Sequence, residues 1–153
     1  MLAIVPATQG FGFAVLERRG RLVSWGCATS SCMSDMTFLQ RVEHLADKYR
    51  VRAIALEDPV SFKRLERARR RTAAIASYAT TRRVGVYIFS KDAMASLLKL
   101  SSAATQFEIA EQCVTHFPEL EEFLPDPKRI WDPQRNRYLM FRAVALALSS
   151  TYA

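Results

Sequence analysis

Three short apolar runs, residues 2–6, 11–17 and 21–26, are set off by Gly10 and Gly20 and closed by Gly26. Runs this brief between such breaks suit strands and leave no room for buried helices. The link Arg18-Arg19-Gly20-Arg21 supplies a glycine where a tight hairpin needs positive φ. The chain is therefore expected to open as a three-stranded antiparallel meander. Phe11, Phe13 and Val15 fall on one face of the second strand and Ala14 and Leu16 on the other, so both faces are apolar enough to be covered.

Beyond residue 34 the spacing becomes helical. Phe38, Leu39, Val42, Leu45, Ala46 and Tyr49 form one stripe over 35–49, with Ser34 placed to cap it. An aliphatic strand over 51–56 leads to Glu57 and Asp58, and Pro59 stops further pairing there. A helix over 60–80, a strand over 84–89, a helical stretch after Ser90 and a helix over 104–117 follow. Residues 118–133, with their prolines and Glu119, Glu121, Glu122 and Asp126, read as a surface connection with a solvated acidic face. A final helix is expected over 136–149, with Phe141, Val144, Ala145 and Leu148 inward. This order implies one α/β domain, spanning residues 1–153, with a mixed sheet flanked by helices. There is no internal repeat, phosphate loop or dinucleotide-binding glycine fingerprint.

Charge is unevenly spread. Between residues 60 and 83, Lys63, Arg64, Arg67, Arg69, Arg70, Arg71, Arg82 and Arg83 face Glu66 alone, which accounts for the whole net charge of +7. Helical spacing puts Lys63, Arg64, Arg67, Arg70 and Arg71 on one side, opposite an apolar face of Phe62, Leu65, Thr72, Ile75, Ala76 and Ala79. Such a surface attracts polyanions, nucleic acid first among them, although a basic helix face also serves solubility alone.

Other chemistry is thinly supported. Cys27, Cys32 and Cys113 are an odd set without paired metal-ligand spacing, so thiols in a reducing compartment are expected, and no metal or cofactor. The opening residues carry no basic leader and no apolar run long enough to span a membrane; a cytoplasmic location is expected. His44 and His116 lie near no recognisable nucleophile motif. Trp25, Trp131, Phe11 and Phe13 have the chemistry to stack on bases, but aromatics on short strands more often pack cores.

The element order, together with the segment from Ile4 to Leu16, Leu22-Val23-Ser24-Trp25-Gly26, Glu57 at the fourth strand's end and the segment from Met140 to Leu148, resembles the ribonuclease H-like superfamily, and within it the RuvC-type Holliday junction resolvases. That resemblance implies a phosphodiesterase holding two divalent cations on several carboxylates. It also implies a homodimer acting on branched DNA.

Measured against the family pattern, the implied carboxylates are depleted. Val5 stands where an aspartate precedes Pro-Gly, and Arg142 stands where the final helix supplies an aspartate; an acidic or histidine position one turn earlier falls near Leu139. Glu57 matches, with Asp58 beside it, so these two are the remnant catalytic candidates. A guanidinium stays protonated and repels cations. Arg142 is thus expected to pair with Glu57, or to hold a phosphate together with Arg135 two turns earlier. Val5, Glu57 and Arg142 should then converge at one end of the sheet.

The resulting expectation is a non-catalytic nucleic-acid-binding protein using Lys63, Arg64, Arg67, Arg70, Arg71, Arg82, Arg83, Arg135 and Arg142. One rival is an inactive interaction or regulatory domain for an acidic protein partner. The other is a divergent Mg- or Mn-dependent endonuclease using Glu57 and Asp58, with Asp132 as a displaced ligand.

Overall fold

A computed structural model describes residues 1–7, 10–29, 33–58, 66–125 and 132–152, and the side chains of all of these except 132–136. The meander is present as β1 (Leu2–Ala7), β2 (Gly10–Leu16) and β3 (Leu22–Thr29). Strands β4 (Ala53–Glu57) and β5 (Gly85–Phe89) complete a five-stranded sheet of order β3-β2-β1-β4-β5. β1 pairs antiparallel with β2 and parallel with β4, and β4 pairs parallel with β5.

Helices α1 (Asp35–Lys48), α2 (Glu66–Thr81), α3 (Lys91–Leu97), α4 (Gln106–His116) and α5 (Asp132–Tyr152) cover the sheet. Ser34 caps α1 as expected, its hydroxyl accepting the Thr37 N–H at 3.1 Å. Strand alternation divides the core in two. Leu2, Ile4, Phe11, Val15, Ile54 and Leu56 pack with Phe38, Val42 and Ile75 of α1 and α2. Ala3, Val5, Ala14, Leu16 and Ala55 pack with α5 and, behind it, α4.

The residues facing α5 are small for a reason visible at Gly12. A Cβ there would lie 2.5 Å from the Leu139 carbonyl oxygen, so helix backbone rests almost directly on strand backbone. This close seating buries α5 nearly all round from Leu139 to Ser149.

Several boundaries differ from the sequence reading. β3 does not close at Gly26 but continues through it to Thr29, paired with β2 as far as Gly10. β4 begins at Ala53 rather than at residue 51, because Val51 closes the end of α1 by donating to the Ala46 carbonyl at 3.1 Å. α5 runs over 132–152 instead of 136–149; Pro133 lies in its first turn, where a proline needs no amide donor. Within the segment read as a surface connection, Pro118–Phe123 forms a 3-10 helix that buries Leu120 completely. Trp131 and Asp126 lie outside the described residues.

Candidate nucleic-acid interface

Glu57 closes β4, and Ala55 two residues before it faces α5. Alternation therefore turns Glu57 to the same side, next to the strand carrying Val5, whose side chain also faces α5. Arg142 lies on α5 three residues after Leu139, where the helix is seated against β2. Its Nη2 donates to Glu57 Oε2 at 2.6 Å, with the two side chains 24% and 4% exposed. Val5, Glu57 and Arg142 thus meet at the end of the sheet where β1 and β4 finish. Asp58 follows the strand, its N–H donating to the Phe89 carbonyl at 2.8 Å.

Divalent cations take several oxygen ligands in fixed geometry. Here one wall is Val5, which offers no donor atom, and the buried Glu57 carboxylate is bound by a cation of the protein itself. No group of three or more His, Cys, Asp or Glu side chains able to hold a metal occurs among the described residues. These residues do not fit a two-cation centre. Asp132 belongs to α5, but its side chain lies outside those described.

The basic helix differs from the expected single face. Arg67, Arg69 and Arg70 are exposed at the start of α2, while Arg71 is 1% exposed. Its Nε donates to Asp35 Oδ1 at 3.0 Å, Nη1 to the Ala7 carbonyl at 3.3 Å and Nη2 to the Met33 carbonyl at 2.7 Å. The guanidinium also lies 4.8 Å from the centre of the Phe38 ring. Arg71 is therefore an internal clamp joining β1, α1 and α2, which corrects its expected place on the exposed phosphate-binding face. Its position is intelligible afterwards: three residues after Ala68 and four before Ile75, it falls on the stripe that packs inward. Asp35 also accepts from Arg70 Nε at 3.2 Å. Those contacts, Arg71 foremost, hold the Asp35 carboxyl below the usual carboxylate range against the opposing effect of burial.

Arg82 and Arg83 follow the last turn of α2, while Arg67 stands in its first. Fifteen residues of helical rise separate Arg67 from Arg82 by about 22 Å. They accordingly do not share one patch: Arg67 and Arg70 lie at the edge of Glu57, and Arg82 and Arg83 at the edge where β5 begins. Lys63 and Arg64 lie outside the described residues, as does the side chain of Arg135.

The aromatic candidates are mostly structural. Phe11 is fully buried, its ring 5.2 Å from that of Phe38 in an edge-on contact, and Trp25 packs edge-on against Phe123 at 6.3 Å. Burial pushes the Cys113 thiol up to about 12 and the Cys27 thiol to about 11, the latter despite an opposing hydrogen bond with the Met140 backbone. Cys32 lies outside the described residues. No helix among the described residues is long and apolar enough to cross a membrane.

No protein-family model and no curated protein matches the sequence. Solved structures do match the fold. Thermus thermophilus RuvC superposes with a TM-score of 0.68 at 20% identity, covering 99% of this chain and 94% of that one. The structure of T. thermophilus RuvC in complex with Holliday junction substrate superposes with a TM-score of 0.69 at 19% identity, covering 99% and 93%. The fold is RuvC-like, and thus ribonuclease H-like, across the chain.

Proposed function

We propose that this protein binds branched DNA without cutting it, at the edge formed by Glu57, Arg142 and the start of α2. The observation that carries the reading is the 2.6 Å Arg142–Glu57 pair, which sits where the RuvC resemblance implies carboxylates and cations. A bare carboxylate would repel a phosphodiester; pairing with Arg142 cancels that charge without a metal. Exposed Arg67, Arg69 and Arg70 supply backbone contacts at the same edge. A protein of the same fold has been solved with a Holliday junction substrate, which supports a branched ligand. A homodimer, which the resemblance implies, would present two such edges to one junction; the proposed location is the cytoplasm.

The test is a fluorescence titration of four-way junction, duplex, single strands and structured RNA across salt concentrations. It includes a variant carrying Arg67→Gln, Arg69→Gln and Arg70→Gln, with Arg71 retained because it is internal. The junction is expected to bind most tightly, and each lost phosphate contact should lower the logarithmic salt slope by about 1. Absence of binding at low salt would overturn the reading in favour of a protein-interaction domain. Cleavage with Mg or Mn that Glu57→Gln abolishes would restore a nuclease.

A further inference from the structure

We infer that the opposite edge of the sheet carries a second site, an arginine-lined cleft that takes single-stranded nucleic acid. The site lies at the far end of α2 from Glu57 and does not depend on the junction reading.

Helices α1 and α2 both end at this edge, where β4 and β5 begin, and both end in the same way. Arg50 donates its N–H to the Asp47 carbonyl at 3.3 Å, and Val51 donates to Ala46 at 3.1 Å. Arg83 donates to Thr80 at 3.2 Å, and Val84 to Ala79 at 2.8 Å. This closure puts the residue after the cap in the left-handed region, a position helices usually give to glycine. Here it is held by arginines, with φ of 48° and 57°. α3 closes in the same way at Lys99, with φ of 59°, so a cation in this turn is a habit of the whole chain; particular to this edge is that two such turns, at Arg50 and Arg83, end helices beside the starts of β4 and β5. Helix-dipole compensation accounts for Arg83, since the last turn of α2 carries no basic residue, but it is a weak account for α1, whose last turn already carries Lys48 in ordinary helical geometry.

Between the Arg50 turn, the end of α5 at Ser150 and Thr151, and the β2–β3 hairpin opens a cleft of about 840 Å³ whose lining sets Arg18, Arg50, Arg52, Tyr49 and Tyr87 among apolar side chains. The acid in its wall, Glu17, is held by both Arg21 Nη2 at 3.0 Å and Nε at 3.2 Å. Arg83 stands outside the lining at the same end of the sheet, two residues before Gly85, whose N–H donates to the Arg52 carbonyl at 3.0 Å. Guanidinium groups bind phosphate oxygens through forked donors. Tyr87, 50% exposed on the outermost strand, offers a ring face beside them. Phosphate donors next to an accessible aromatic suit a strand whose bases are unstacked, because a paired base has no face to give a side chain. An acidic peptide would use the arginines and leave the ring idle.

The experiment is a polarisation titration of a short labelled oligothymidylate on the full chain at low salt, with AMP and polyglutamate as competitors. Arg50→Gly with Arg83→Gly removes two cations and places in each turn the residue its backbone favours, so the melting temperature should hold or rise while affinity falls by about tenfold. Tyr87→Ala should weaken the oligonucleotide several-fold, and Tyr87→Phe should not. AMP displacing the label as strongly as unlabelled oligonucleotide would overturn the strand reading and indicate a nucleotide site. Polyglutamate competing equally, with Tyr87→Ala silent, would overturn it in favour of an acidic protein. Wild-type affinity in the double glycine variant would remove the site altogether. The Arg67, Arg69 and Arg70 substitutions at the other edge should leave oligothymidylate binding at this cleft in place, so loss of junction binding and loss of this site are read separately.

Discussion

Arg142 Nη2 stands 2.6 Å from Glu57 Oε2, joining the final helix to the end of β4 across 85 positions of sequence. A carboxylate this buried is costly without its partner, whereas the pair removed together leaves no uncompensated charge. Arg142→Met is therefore expected to destabilise the fold by about 3 kcal/mol. Glu57→Gln with Arg142→Met should cost clearly less than the sum of the single changes, by at least about 1 kcal/mol. Urea unfolding of the two single variants and the double variant measures this; additive losses would show that the pair is not coupled.

Gly12 sets the height of α5 above the sheet. A methyl group there would collide with the Leu139 carbonyl carbon at 2.8 Å as well as its oxygen, and backbone atoms cannot rotate away. Gly12→Ala should lower stability by about 3 kcal/mol, within the range for overpacked cores and their backbone shifts. Because Arg142 follows Leu139 by less than one turn, the variant should also weaken coupling to Glu57. A double-mutant cycle repeated in the Gly12→Ala background checks this second effect.

Asp35 gives the fold a defined acid sensitivity. Its carboxyl is held down chiefly by the hydrogen bond from Arg71, with burial opposing and the charges of Arg70 and Arg71 adding to the lowering. A depressed folded pKa means that the stabilisation is present above the ordinary carboxylate value of about 3.9 and is lost as pH falls through the lower folded value. Asp35→Asn should flatten that part of the acid-unfolding curve, followed by circular dichroism. Arg71→Ala should cost about 1–3 kcal/mol at neutral pH, chiefly because the Ala7 and Met33 carbonyls lose the donors that Arg71 gives them, whereas Asp35, 44% exposed, is resolvated by water.

Thiol chemistry should be slow at Cys27. Burial raises its pKa to about 11, so near the ordinary thiol value of about 8.5 little thiolate is present. In a variant whose only thiol is Cys27, alkylation of the folded protein is expected to be at least about tenfold slower than in denaturant and to keep rising with pH beyond the ordinary range. Mass spectrometry of the alkylated fraction against time reads the rate. Equal rates folded and unfolded would contradict the burial argument.

The sequence alone determined the meander, the helix over most of 35–49 with its Ser34 cap, the alternation that separates Phe11 and Val15 from Ala14 and Leu16, and the meeting of Val5, Glu57 and Arg142. The first three rest on a period, a cap or a glycine break encoded within a few residues; the meeting of Val5, Glu57 and Arg142 rests on the element order together with the resemblance to the RuvC-type family. Tertiary structure alone decided what the arginines do. Arg69, Arg70 and Arg71 are one basic run in sequence, yet helical rotation sends Arg71 to the carbonyls of Ala7 at the end of β1 and of Met33 just before α1, both far away in sequence. The left-handed turns at Arg50 and Arg83 contain no glycine to announce them, and their shared edge follows from where two helices happen to stop. Local pattern fixes the direction in which a residue points along its own element. Whether it meets solvent, a carbonyl or a carboxylate is set by the elements that pack against it, and no window of neighbouring residues contains that information.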